Sequence, residues 1–429
     1  MIINSNNDVD WNYIDDSATN IGNDLTITSG TFQPKDTSKI LDVNGDVLVN
    51  GGTLSDNSTS ENWAFGSLTQ SSGTISQTSG TIYITSEDSG YAIDLDGTYT
   101  NNSGTVEIKT SGNTEADLMG SSGGIYDLTI NSGGNVDWRG NTEIGNDLTV
   151  SGGTFRPNTD SDTLDVQDNV TINGGTLGGN TASGDWAFKS LYQTSGTIDA
   201  TTGTLFAVGE DSSGFAIDLK GGTFTHNSGT IEINTGAHTD IDLTPASGTV
   251  YNIILDLGNT GYDATLQEAC TISGQLDIDD GEIDTDNNAV TVTGELLIQN
   301  GGEFDAADDT ADHTFGALDL DASGTYTAAS GSDITITSES SGYAIDNDGT
   351  FTNDSGSVTI TTIGNTEADL MGTSGGIYDL TINSGGNVDW RGNTEIGNDL
   401  TVSGGTFRPN TGSDTLNAVS YTHLRAHET

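Results

Sequence analysis

Cysteine, proline and positive charge are nearly missing from this chain. Among 429 residues there are one Cys, four Pro and ten Lys or Arg. A lone Cys270 excludes an internal disulfide framework, so the fold must be held by repetition and hydrogen bonding. It sits in ACTIS, which aligns with DLTVS around Leu148, and this predicts a small buried residue rather than a reactive thiol. Against the ten cations stand 63 Asp and Glu, a net charge of −53. A field of that sign repels nucleic acid and anionic lipid, which removes nucleic acid from the expected partners. No run of about 18 apolar residues is present, so this segment is not expected to insert in a membrane. No secretory signal pattern is present either.

What is abundant argues against helices. Glycine supplies 59 positions, hydrophobic residues only 32%, and Ser, Thr, Asn and Asp most of the remainder. Glycine costs about 1 kcal/mol per helical position relative to alanine, and the small polar residues favour strands, caps and turns. The large apolar residues are spread thinly and evenly, which suits a narrow core running along the chain better than thick globular cores.

That spread is periodic on two scales. Residues 113–166 return at 365–418 with four differences, where Ser121, Asp160, Asp165 and Val166 become Thr373, Gly412, Asn417 and Ala418. Half of that offset is also a unit. YDLTI starts at Tyr126, YNIIL at Tyr251 and YDLTI again at Tyr378, while SGYAID at 89, SGFAID at 213 and SGYAID at 341 recur at nearly the same interval. The super-repeat of about 126 residues divides the chain into 1–129, 130–254, 255–381 and a partial copy, 382–418.

Inside each copy a shorter beat recurs, as LTITSGTF at 25, VLVNGGTL at 47 and LTQSSGTI at 68. Alternation puts Leu25 and Ile27 on one face and Thr26 and Thr28 on the other, the pattern of a half-buried strand. Each strand then meets SG or GG, where glycine permits a positive φ; Gly133, Gly134, Gly385 and Gly386 are the expected turn residues. In GGIYDLTINSGGNVDW, Tyr126, Leu128 and Ile130 are expected to face the core. A turn of about 21–25 residues cannot bury its apolar face alone, but stacked turns bury one another's. The pattern predicts an all-β parallel β-solenoid, a right-handed β-helix about 80–100 Å long at roughly 4.8 Å per coil. The alternative is a tandem array of β-sandwich domains, which requires antiparallel hairpins and linkers.

Both ends fall inside the repeat. Met1–Ser5 aligns with Leu128–Ser132, and the last residues, 419–429, read VSYTHLRAHET, unlike anything upstream. That tail resembles translated sequencing-adapter read-through and is expected to be non-native, with the chain a fragment from assembled reads.

Chemistry is sparse. GSSGG at 120 and GTSGG at 372 match the G-x-S-x-G elbow, but no helix pattern follows them. The densest acidic run, DIDDGEIDTD, offers Asp277, Asp279, Asp280, Glu282, Asp284 and Asp286 as candidate Ca²⁺ ligands, although its glycine falls at position 5 of a calcium loop rather than 6. No other cofactor is expected. Trp11, Trp138 and Trp390 recur in VDW as candidate sugar-stacking residues, with core packing favoured by their parity with residues such as Val136. His226, His238 and His313 are isolated and expected at the surface. Asp94 and Asp96 recur as Asp346 and Asp348, and Arg139 and Arg156 as Arg391 and Arg408. Features copied along the chain suit a scaffold or multivalent binding better than a unique catalytic dyad.

Taken together, residues 1 to about 418, built on strand plus [SNG]-G-T, resemble bacterial secreted and cell-surface β-solenoid proteins of the adhesin, filamentous haemagglutinin-like and autotransporter-passenger kinds. The resemblance implies a non-catalytic extracellular repeat protein that presents binding surface to carbohydrate or cell-surface ligands. A β-helix polysaccharide lyase or hydrolase is the enzymatic alternative, and an ice-binding Thr array, as in DITIT at 333–337, a lesser one.

Overall fold

A computed structural model describes residues 1–11, 19–35, 40–56, 60–179, 182–307, 310–328, 331–372 and 374–420. These residues form 43 strands and no helix, stacked in parallel as a β-solenoid of about 18 turns. The ladders run parallel and advance one coil at a time, as in Leu25 with Val47 and Val47 with Leu68. Among the described residues the antiparallel contacts are isolated bridges such as Asp88 with Tyr91 and Ser340 with Tyr343. Tandem sandwiches are thereby excluded, since their strands would meet in antiparallel hairpins. Residues 421–429 of the expected foreign tail lie outside the described residues, whereas the strand Thr415–Ser420 continues the parallel pairing.

The described chain forms two compact units. One comprises Met1–Leu205 and Gly221–Asn227, the other Phe206–Lys220 and Ser228–Thr429. In the first, Val106, Leu128, Leu148, Val170 and Leu191 pair in succession, one from each coil. In the second, Ile253, Leu276, Leu296, Leu318 and Ile345 do the same. Each of these side chains is buried. Alternation follows the sequence pattern: in Leu25–Ser29 the residues Leu25 and Ile27 have no exposed surface, and Thr26 and Thr28 are half-buried. Burying one such side chain contributes about 1.5–3 kcal/mol. A short strand has only two of them, so a coil is stable only against its neighbours.

At the corner after Ile130 glycine acts by size at Gly134 and by conformation at Gly153 of the next coil. Asn131 pairs with Gly152 and Asn135 with Thr154, so Ser132, Gly133 and Gly134 together face one residue of the next coil. Neither Gly133 nor Gly134 adopts a positive φ; that conformation falls instead to Gly153, at 69°. A Cβ on Gly134 would lie 2.5 Å from the carbonyl carbon of Gly112, and one on Gly386 would lie 2.4 Å from that of Gly364. The buried Ser132 hydroxyl closes the corner, donating to the Thr110 carbonyl at 2.9 Å and accepting from Gly134 N–H at 3.1 Å. Ser384 repeats both bonds. The start of this strand also corrects the expectation: Tyr126 is half-exposed at the preceding bend, and Ile125 takes the buried place.

The core carries an aromatic stack. Trp138 lies 4.7 Å from Phe155 and 6.1 Å from Trp186, centroid to centroid. Trp11 packs on Phe32 and Trp63, and Trp390 on Phe407 at 4.5 Å. Trp138 has no exposed surface, and Trp11 and Trp390 are 4% and 8% exposed. Their ring faces are taken by neighbouring coils, which removes the sugar-stacking role. His313 corrects the surface expectation in the same way. It is fully buried between the rings of Phe304 and Phe315, and its Nδ1 accepts the Val290 N–H at 3.2 Å.

Candidate functional site

The acidic run is divided between two strands. Asp277 and Asp279 lie on the strand Leu276–Asp280, Glu282 and Asp284 on Glu282–Asp284, and the bend at Gly281, with φ 95°, separates the two. Asp277 accepts from the Gln299 amide at 3.0 Å, and Asn300 donates to Asp279. Asp286 sits beyond both strands in the left-handed region at φ 45°. Among the described residues no group of three or more His, Cys, Asp or Glu is arranged to hold a metal ion.

Stacking instead sorts these acids into ladders that span coils. Asp263, Glu282 and Glu303 pair residue for residue, and Asp284 pairs with Asp305. Burial, and then the charges of Asp305, Glu303, Asp263 and Asp284, push the Glu282 carboxyl up to about 7. Asp319 pairs with Asp346 and is pushed up to about 6 by burial and then by Asp346, Glu295, Asp348 and Asp321. The parallel register creates these contacts, because like residues on neighbouring strands come face to face.

A second outward arrangement combines an aromatic ring, a carboxylate and a guanidinium. Tyr91 pairs with Glu115, and Glu115 with Asp137, on three successive coils. Arg139 leaves the end of the strand Asp127–Trp138 and reaches back across them: its Nε lies 3.1 Å from Glu115, an Nη donates to the Tyr91 hydroxyl, and its Cζ sits 5.3 Å from the Tyr91 ring centroid. Beside it Arg156 grips Asp137 with two bonds, at 2.7 and 3.2 Å. Asp94 and Asp117 flank the group in register; burial raises both carboxyls and Arg139 lowers them.

The same group recurs in the third copy. Tyr343 pairs with Glu367 and Glu367 with Asp389; Arg391 bonds Glu367 and lies 4.8 Å from the Tyr343 ring, while Arg408 holds Asp389. In the middle copy the ring and cation are Phe215 and Lys220, 4.9 Å apart, with Asp240 in the carboxylate register. Lys220 also approaches Asp218 at 3.5 Å and the buried Asp242 at 3.9 Å. Sequence reasoning pairs Arg139 with Arg391 but misses the group. A signal exists in its even spacing: the step from Tyr91 to Glu115 equals that from Glu115 to Arg139, and the same step leads from Tyr343 to Glu367 to Arg391.

The remaining candidates separate. His238 is exposed and bonds Asp263, and its ring meets Tyr262 edge-on at 5.4 Å. Ser122 of GSSGG forms a bridge with Thr98 and is followed by strand rather than helix, so the nucleophile elbow is not built. Cys270 is buried at 6% exposure, as its sequence predicts. The structure aligns it with Thr142, however, because Leu276 occupies the place of Leu148 in the aliphatic ladder. Comparison with protein-family models, with curated proteins and with solved structures finds no match.

Proposed function

We propose that this β-solenoid is a non-catalytic extracellular or cell-surface protein, adhesin-like, whose coils present a repeated binding face to carbohydrate. The observation that carries the reading is the recurrence of the aromatic–carboxylate–cation group at Tyr91, Glu115 and Arg139 and again at Tyr343, Glu367 and Arg391. Identical weak sites held on one chain multiply retention without any new contact. A planar guanidinium beside a ring offers directed donors, and the flanking Asp94 and Asp117 offer acceptors. The net charge of −53 directs this face to neutral rather than acidic polymers.

Retention of the full chain on neutral polysaccharide beads (xylan, galactomannan and chitin) tests the reading. The wild-type chain should be retained, Arg139→Ala and Arg391→Ala should each weaken retention, and the double variant should lose far more than the two losses combined. Release of reducing ends from those polymers, abolished by substituting one acidic group, would overturn the non-catalytic part. Retention of the double variant at the wild-type level would overturn the binding face.

A further inference from the structure

The first and third copies differ in conformation at one corner. Thr100-Asn101-Asn102-Ser103-Gly104 in the first corresponds to Thr352-Asn353-Asp354-Ser355-Gly356 in the third. In the first copy Asn102 and Ser103 both adopt a left-handed conformation, at φ 47° and 58°. Asn102 there donates to Asp56 at 3.1 Å and to the Gln77 carbonyl at 2.6 Å. Asn101 then reaches across the coil and donates to the Gly124 carbonyl at 3.0 Å. Asp354 replaces Asn102 and has no amide to donate. In the third copy Ser355 alone of this pair of positions takes a positive φ, the strand Thr350–Asn353 runs one residue further than its counterpart Thr98–Thr100, and Asn353 turns inward to 4% exposure. Among the described residues neither its amide oxygen nor its amide nitrogen has a partner.

Asn353 lines a cavity of about 750 Å³. That is within the size range of small-molecule sites. Phe351, Asp354, Met371, Gly375, Gly376, Tyr378 and Glu395 are among its lining residues. Tyr378 is 37% exposed and lines the cavity. Among the described residues the lining contains no Lys, Arg or His. An anion is therefore opposed by two carboxylates without a counter-charge. A purely apolar ligand would leave the Asn353 amide unsatisfied, which costs about 1–3 kcal/mol. The complement is an uncharged ring bearing several hydroxyls: its hydroxyls donate to Asp354 and Glu395, both accept from and donate to Asn353, and its C–H face lies on Tyr378.

We infer that this corner, set by Asn353, Asp354, Tyr378 and Glu395, is a binding site for a neutral sugar unit. It rests on the carbohydrate-presenting reading above but names a different surface, separate from the Arg391 group. The equivalent Tyr126 of the first copy provides an internal control, since there Asn101 is committed to Gly124.

The test is saturation-transfer NMR on the full chain with methyl α-mannoside, methyl β-galactoside, N-acetylglucosamine, xylose, cellobiose and lactose. At least one should bind, Tyr378→Ala should weaken it about tenfold or more, and Tyr126→Ala should leave it unchanged. Asn353→Leu should abolish binding while holding or raising Tm, because it removes a buried amide without partners; a structural asparagine would instead lower Tm. Absence of binding for all six sugars at about 10 mM, or binding that persists in Tyr378→Ala, overturns this site. Loss of bead retention in the double arginine variant together with unchanged sugar binding in Tyr378→Ala sinks the site alone. Sugar binding at Tyr378 by a chain that no polysaccharide bead retains sinks the repeated face alone.

Discussion

Glu282 and Glu303 pair in register on neighbouring parallel strands, carboxylate against carboxylate, with no cation between them in the ladder that begins at Asp263. The alternation that sends Ile283 and Phe304 into the core fixes both acids on the outer face, and parallel stacking then leaves them no freedom to avoid each other.

Stability should therefore fall as pH rises through the neutral range. The Glu282 carboxyl is raised from 4.5 to about 7 by burial and by its four acidic neighbours. Below about 4.5 both folded and unfolded chains hold this proton, and between 4.5 and 7 only the folded chain does. The proton's contribution is lost as pH climbs across that window. Melting curves from pH 5 to 8 should show a declining Tm. Glu282→Gln should flatten part of the decline and melt above wild type at pH 8. Sodium chloride should raise the wild-type Tm more at pH 8 than at pH 5, because screening acts on charges that are present only at the higher pH. Identical wild-type and Glu282→Gln profiles would refute the ladder's role.

The corner predicts a steep dependence on a single methyl group. Gly134→Ala places a carbon 2.5 Å from the Gly112 backbone, where no flexible side chain can yield. The coils must separate locally, at a cost of about 2–3 kcal/mol. Gly22→Ala meets nothing within 4 Å and carries no left-handed φ, so it should stay within about 0.5 kcal/mol of wild type. Urea midpoints of the two variants check this contrast. Equal midpoints would mean that backbone approach does not select glycine at Gly134.

Period-two alternation made the solenoid legible, because Leu25 and Ile27 face inward whichever coil lies next to them. The position of the corners was legible too, but not their mechanism: the sequence suggests a φ requirement at Gly133 and Gly134, whereas the crowding comes from the preceding coil. Contacts between coils were the hidden layer. A histidine reads as a surface residue until HTF at 313 is set against WAF at 63 and 186; the shared register then puts His313 where indoles sit. The acid ladders stayed hidden for a related reason. Coil lengths vary, the step from Leu128 to its partner Leu148 being shorter than that from Leu68 to its partner Ile93, so linear density in DIDDGEIDTD does not say which carboxylates meet.

Cys270 offers a probe of this stacking. Its thiol is buried on the strand Cys270–Ile272, which pairs with Val290–Ile298, and burial followed by the charge of Asp242 pushes its pKa up to about 12. Thiolate is the reactive form, so at pH 8 the folded chain should present almost none. An aromatic disulfide reagent should label Cys270 fully in denaturant and only slowly in buffer. In buffer the rate should follow opening of the coil rather than reagent concentration once the reagent is in excess. Glu282→Gln should slow this labelling at pH 8, because relieving the neighbouring acid ladder steadies the adjacent coils. Prompt stoichiometric labelling of the folded chain would show that the coil carrying Cys270 is not closed over by its neighbours.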